Sequence, residues 1–175
     1  MSTLDSNWML PFEAFEWIEA NISTGSRILE FGSGDGSIRL AGNYDVWSVE
    51  HNPHWLDVAP VNYIHASIVE NVVSNSVGEH GWYDPAVLAK NLPDSVALII
   101  IDGPTGGIGR TGLLAHIFLL PQTDYFLVDD VDRGAEQSLL SKIIEVIDAK
   151  VTVIKSAHLR NDGSPREFAV LNLRR

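Results

Sequence analysis

Ile28-Leu29-Glu30-Phe31-Gly32-Ser33-Gly34-Asp35-Gly36-Ser37 is the stretch on which the reading of this chain turns. A short β-rich run, Arg27–Phe31, stops at three glycines in alternate positions, and a helical pattern follows Gly36. Glycines carry no Cβ, so the backbone there can turn tightly and approach a ligand closely. The N–H groups opening the next helix point at whatever sits in the turn. The next β-rich run, Asp45–Glu50, ends in a carboxylate 20 residues after Glu30. An acid in that place can accept both hydroxyls of a ribose. The spacing is G-x-G-x-G, whereas dinucleotide folds favour G-x-G-x-x-G. Glu30 and Asp35 also sit badly beside a pyrophosphate. A cation-bearing cofactor without phosphate suits these carboxylates better.

Outward from that stretch, short β-rich runs alternate with longer helical patterns. The strand candidates are Arg27–Phe31, Asp45–Glu50, Asn62–His65, Ser95–Asp102, Asp124–Asp129, Lys150–Ser156 and Glu167–Leu173. Val96-Ala97-Leu98-Ile99-Ile100-Ile101 is apolar at every position, the pattern of a parallel strand covered on both faces. Helical patterns cover Pro11–Ala20, the stretch after Gly36, Asp84–Lys90, Thr111–Leu120 and Arg133–Ala149. The last has a core-facing stripe of Leu139, Leu140, Ile143, Ile144 and Ile147. This alternation predicts an α/β fold with a mostly parallel seven-stranded sheet and helices on both faces. Only a loop, Ala157–Arg166, joins the last two strands, so they are expected to pair antiparallel at one edge. Ligands bind such sheets at the carboxyl ends of the strands.

The 175 residues suit one domain, with 1–26 a helical extension and 27–175 the cofactor-binding core. The longest apolar run, six residues, is far below the roughly 20 that a membrane helix needs. No signal peptide is seen in Met1–Phe12, and the absence of cysteine suits a reducing cytosol while excluding thiol catalysis. A cytoplasmic location is therefore expected. The net charge of −11 is uneven: residues 1–132 hold 4 Lys/Arg against 18 Asp/Glu, residues 133–175 hold 8 against 5. So acidic a body repels phosphate backbones, and no nucleic-acid partner is expected.

With Glu30, Gly32, Gly34 and Gly36 matching E/D-x-G-x-G-x-G, the chain resembles the class I S-adenosylmethionine-dependent methyltransferases, from about Ser26 to Arg175. The resemblance implies a Rossmann-like fold. It implies that Glu30, Gly32, Ser33, Gly34 and Gly36 cradle the amino-acid part of the cofactor, that Glu50 holds the ribose and that His51 lies beside the adenine. Members often carry an acid after the third strand to contact the adenine amine. Here the stretch is His65-Ala66-Ser67, so Ser67 stands in that place.

The fourth and fifth strands end at Asp102 and at Asp129-Asp130, and adjacent parallel strands bring these to one rim. Three carboxylates there repel unless they are protonated, spread into solvent or neutralised by a cation. Oxygen-only donors suit Mg²⁺, Ca²⁺ or Mn²⁺. The pattern resembles the metal-dependent O-methyltransferases of the catechol type, with Asp130 where Asn is usual. The string from Asp102-Gly103-Pro104 through Arg110 to Asp129-Asp130-Val131-Asp132-Arg133 also resembles methyltransferases of sugars and polysaccharides. These resemblances imply methyl transfer to a hydroxyl of a small-molecule or carbohydrate acceptor. Either Asp102 takes the hydroxyl proton, or a divalent ion on Asp102, Asp129 and Asp130 lowers its pKa.

Other residues point less far. His51 and His54 flank Asn52-Pro53 in a turn, which opposes a paired ligand role. His116 falls in a helical pattern among leucines. The loop His80-Gly81-Trp82-Tyr83-Asp84-Pro85 can stack on a planar acceptor or pack over the core. Trp8, Phe12, Phe15 and Trp17 before the first strand can cover the site or meet a second copy of the chain. Two other classes remain as alternatives: an NAD(P)-dependent oxidoreductase and a nucleoside-binding module without catalysis.

Overall fold

The computed structural model describes residues 9–173, so Trp8 and Arg175 fall outside the described residues. Along the chain run α1 (Phe12–Asn21), β1 (Arg27–Phe31), α2 (Asp35–Ala41), β2 (Asp45–Glu50), β3 (Asn62–His65), β4 (Ile68–Val69) and α3 (Val72–Ser76). There follow β5 (Trp82–Tyr83), α4 (Pro85–Asn91), β6 (Leu98–Ile101), β7 (Tyr125–Val128), α5 (Gly134–Val146), β8 (Ala149–Lys155) and β9 (Glu167–Leu173). Seven strands form one sheet in the order β3-β2-β1-β6-β7-β9-β8, while β4 and β5 make a separate antiparallel pair.

β3, β2, β1, β6 and β7 are parallel; β9 runs antiparallel to both β7 and β8. The antiparallel pair thus lies at one edge as expected, and the reversed strand is the inner of the two. That placement brings the start of β9 to the same rim as the ends of the parallel strands. The all-apolar run on β6 has its physical reason in burial on both faces. Leu98 and Ile100 join Phe15, Ile18 and Leu40 from α1 and α2. Ile99 and Ile101 join Leu88, Leu139 and Ile143 from α4 and α5. Ile144, expected in the α5 stripe, is instead exposed.

The N-terminal aromatics split. Phe15 is buried in the first of these cores, Trp17 packs edge-on to Tyr125 at 5.3 Å, and half-exposed Phe12 lies under the Arg39 guanidinium. α1 is therefore part of the core, each buried side chain contributing about 2–3 kcal/mol. The expected helix Thr111–Leu120 is a 3₁₀ stretch, Thr111–Leu119, broken at His116. Buried Leu113 and Ile117 fit either winding. What the close winding accommodates is Gly112, where a Cβ would fall 2.5 Å from Trp82 Cβ. Among the described residues no helix is long and apolar enough to cross a membrane.

Candidate active site

The turn after β1 is held from three sides. Gly32 N–H donates to the Val49 carbonyl (2.9 Å), Ser33 N–H to Glu50 Oε2 (2.9 Å), and Gly34 N–H to Ser37 Oγ (3.1 Å). Ser37 in turn donates to Glu30 Oε1 at 2.5 Å. Gly32 sits at φ +93°, the left-handed region, and a Cβ on it would stand 3.0 Å from the backbone of Gly103. The turns after β1 and β6 therefore touch backbone to backbone, which only a pair of glycines allows.

Glu30 lies beneath this turn. Burial pushes its carboxyl up to about 7, against the pull of the Ser37 and Ser48 hydroxyls. Glu50 is also buried. Its Oε1 accepts from the N–H groups of His51 (2.7 Å) and Asn52 (2.6 Å), with His51 Nδ1 at 3.0 Å. With Ser33 on Oε2, the carboxylate is fixed at the carboxyl end of β2 and joins the glycine turn to the next strand. Ser33 Oγ lies 3.3 Å from Tyr63 Oη, on β3. Ser67 is exposed, and its carbonyl accepts from Asp84 N–H at 2.8 Å. The β4–β5 pair thus brings a carboxylate beside Ser67, where the chain after β3 has none, although Asp84 Oδ1 already caps α4 through Ala86 N–H.

Gly36 plays a different part. Its missing Cβ would meet Phe15 and Met9 at 3.4 and 3.5 Å, so it admits α1 and the preceding residues against the turn. Met9, Leu10, Glu30, Gly34, Ser37 and Asp102 line the crevice there, whose interior of about 10 Å³ has room for a single water.

The three rim aspartates are brought together as the strand order requires: one carboxylate oxygen of each lies within 4.8 Å of the others. Sequence reasoning missed what surrounds them. Asp130, at φ +61°, accepts from Arg160 on Oδ1 (2.6 Å) and from Arg110 on Oδ2 (3.3 Å), with Arg133 Nη1 ion-paired 2.9 Å from Oδ2. Asp129 is fully buried; its Oδ2 accepts from Arg166 at 2.8 Å, and its Oδ1 has no partner. Asp132 takes two bonds from Arg160, 2.6 and 2.9 Å. Burial, then the charges of Asp102 and Asp130, pushes Asp129 up, while the surrounding guanidinium groups hold Asp130 below the usual range despite its burial. Asp102 stays half-buried, 3.5 Å from Arg110 Nη2, its carboxyl raised chiefly by burial.

The metal expectation placed on Asp102, Asp129 and Asp130 is met by the spacing of the three carboxylates but not by their surroundings: both oxygens of Asp130 and one of Asp129 are paired with guanidinium groups. Arg160 and Arg166 lie in the loop between β8 and β9. The one signal for them in the sequence was topological, since an antiparallel β9 must begin at this rim.

The sheet order, the glycine turn and the strand-end acids together define the class I S-adenosylmethionine-dependent methyltransferase fold, and solved structures agree. The chain is similar to the O-methyltransferase from Bacillus cereus solved with S-adenosylhomocysteine: 14% identity over 95% of this chain and 84% of that one, TM-score 0.58. A methyltransferase from Pyrococcus furiosus shares 16% identity over 93% and 82%, TM-score 0.56. An rRNA methylase from Streptococcus thermophilus shares 12% over 93% and 95%, TM-score 0.53. At these identities the likeness is one of fold, and the acceptors named for these proteins differ. No protein-family model and no curated protein sequence matches the chain.

Proposed function

We propose that this chain transfers a methyl group from S-adenosylmethionine to a hydroxyl of a small-molecule or carbohydrate acceptor, with Asp102 as general base. The observation that carries the reading is the junction of Gly32 with Gly103. It sets the glycine turn and the fixed Glu50 carboxylate on one side and the half-buried Asp102 on the other. The turn suits a cofactor of this kind: Gly32, at φ +93°, turns the chain sharply after β1, and Glu50 is fixed beside it at the end of β2. Glu30, Gly32, Ser33, Gly34 and Gly36 would hold the amino-acid part, Glu50 the ribose, and His51 and Ser67 the adenine.

When bound, the cofactor supplies an electrophilic methyl on a sulfonium. The protein's share is alignment and the proton. The glycine turn and Glu50 fix one reactant, and alignment is the larger part of such a displacement. Asp102 would accept the hydroxyl proton as the acceptor oxygen takes the methyl, the bonding pair staying with the cofactor's sulfur as a neutral thioether. The net charge of −11 and the pairing of the rim arginines with carboxylates both weigh against a nucleic-acid acceptor. The oxidoreductase alternative is weakened at Ser37, the position where a dinucleotide turn has its third glycine. Its hydroxyl is packed against Glu30 instead.

Calorimetric titration with S-adenosylhomocysteine tests the reading, with NAD⁺ as control. We expect micromolar binding of the first alone, weakened at least tenfold in Glu50→Ala. Binding of NAD⁺ alone would overturn it.

A further inference from the structure

Asp102 and Asp130 already share a cation, and that cation belongs to the chain. The Arg110 side chain is 4% exposed. Its Nη2 lies 2.6 Å from the Asp102 carbonyl, 3.5 Å from Asp102 Oδ1 and 3.3 Å from Asp130 Oδ2. Nη1 donates to the Asp129 carbonyl at 3.2 Å. Nε donates to the Pro104 carbonyl at 3.2 Å and stands 3.9 Å from Glu136 Oε1. The guanidinium thus has an all-oxygen shell drawn from the ends of β6 and β7 and the start of α5, the kind of shell a hard cation takes. We propose that Arg110 is the resident cation of this rim and occupies the place a divalent ion takes in the metal-dependent O-methyltransferases that the sequence resembles. The inference deepens the proposed function: methyl transfer at this site is metal-independent, and Arg110 acts as a positioning residue that ties Asp102 to the carboxylates of the neighbouring strand.

Two physical points carry the proposal. A fixed planar ion with five donors satisfies carbonyls and carboxylates at once, which a small ion cannot do without drawing them inward. A divalent ion among Asp102, Asp129 and Asp130 would also share the rim with the Arg110 guanidinium, 3.5 Å from Asp102 Oδ1 and 3.3 Å from Asp130 Oδ2, and like charges at that range repel strongly in a buried setting.

The test is Mn²⁺ binding, read by electron paramagnetic resonance and by the melting temperature, which needs no acceptor. The wild-type protein is expected to hold no Mn²⁺ at millimolar concentration, with a melting temperature indifferent to Mn²⁺ and to EDTA. Arg110→Met, which removes the guanidinium between Asp102 and Asp130 and leaves Asp102 and Asp129 Oδ1 open to a cation, is expected to bind one Mn²⁺ and to regain part of its lost melting temperature with it. Arg110→Lys keeps one charge in place and is expected to exclude Mn²⁺ even if the methionine variant does not fold. One Mn²⁺ bound by the wild type and lost in Asp102→Asn would overturn the proposal, as would a folded Arg110→Met that binds none. S-adenosylhomocysteine titrated into the same samples reads the cofactor assignment separately, so failure of one is not mistaken for failure of the other.

Discussion

At the scale of single residues, Asp102 has the most demanding position. Burial raises its carboxyl, while Arg110 draws it back down, so it is a stronger base than a free aspartate and is still held by a cation. If it takes the acceptor proton, Asp102→Asn keeps the shape and loses the base. Turnover should then fall by about 10²–10⁴, while calorimetric affinity for S-adenosylhomocysteine stays largely intact, because Glu50 and the glycine turn are untouched. Full turnover by the variant would remove Asp102 from the chemistry. The sequence disclosed Asp102, Asp129 and Asp130 as neighbours, since each ends a strand and adjacent strands end together. It did not disclose their partners: Arg160 and Arg166 follow Asp129 by 31 and 37 positions, and nothing in local spacing links them.

At the scale of elements, legibility followed length. Strands with long apolar runs announced themselves, because burial on two faces leaves no room for polar residues. β4 and β5, two residues each, carry no period to read, yet they deliver Tyr83 under the turn after β6 and Asp84 beside Ser67. The 3₁₀ stretch at Thr111–Leu119, with Leu120 just after it, carries Leu113, Leu114 and Ile117 in a helical pattern that does not tell one winding from another. What joins the elements functionally is the contact between the turns after β1 and β6. A Cβ on Gly103 would lie 2.7 Å from Gly32 Cα and 2.8 Å from Tyr83 Oη, and neither a backbone nor a fully buried ring can yield cheaply. Gly103→Ala should therefore cost about 1–3 kcal/mol in urea unfolding and weaken S-adenosylhomocysteine binding by displacing the glycine turn. Gly107→Ala in the same loop, with nothing within 4 Å of its Cβ, should change neither. Equal effects from the two would place the cost in loop flexibility and not in the contact.

At the scale of the whole molecule, the balance between buried acids and their partners sets how stability responds to pH. Asp130 and Asp132 have lowered carboxyls and contribute stability that disappears as the pH falls through their folded values, below about 4. Glu30 behaves oppositely. Its carboxyl is raised from 4.5 to about 7, so the folded protein holds a proton there that the unfolded chain has released. Its contribution is complete below pH 4.5 and is lost as the pH climbs through 7, a change of about 3 kcal/mol. Asp102, Asp129 and Glu136, also raised by burial, push in the same direction, as does mutual repulsion in a chain of net charge −11. Stability should thus peak near pH 5 and decline toward pH 8. Glu30→Gln keeps a buried acceptor for the Ser37 hydroxyl and carries no charge, so its denaturant midpoint should lose most of the Glu30 share of that decline and exceed the wild type at pH 8. The reverse order at pH 8 would mean that the ionised Glu30 is a stabilising partner of the glycine turn, and that its burial costs less than the Ser37 and Ser48 hydroxyls return.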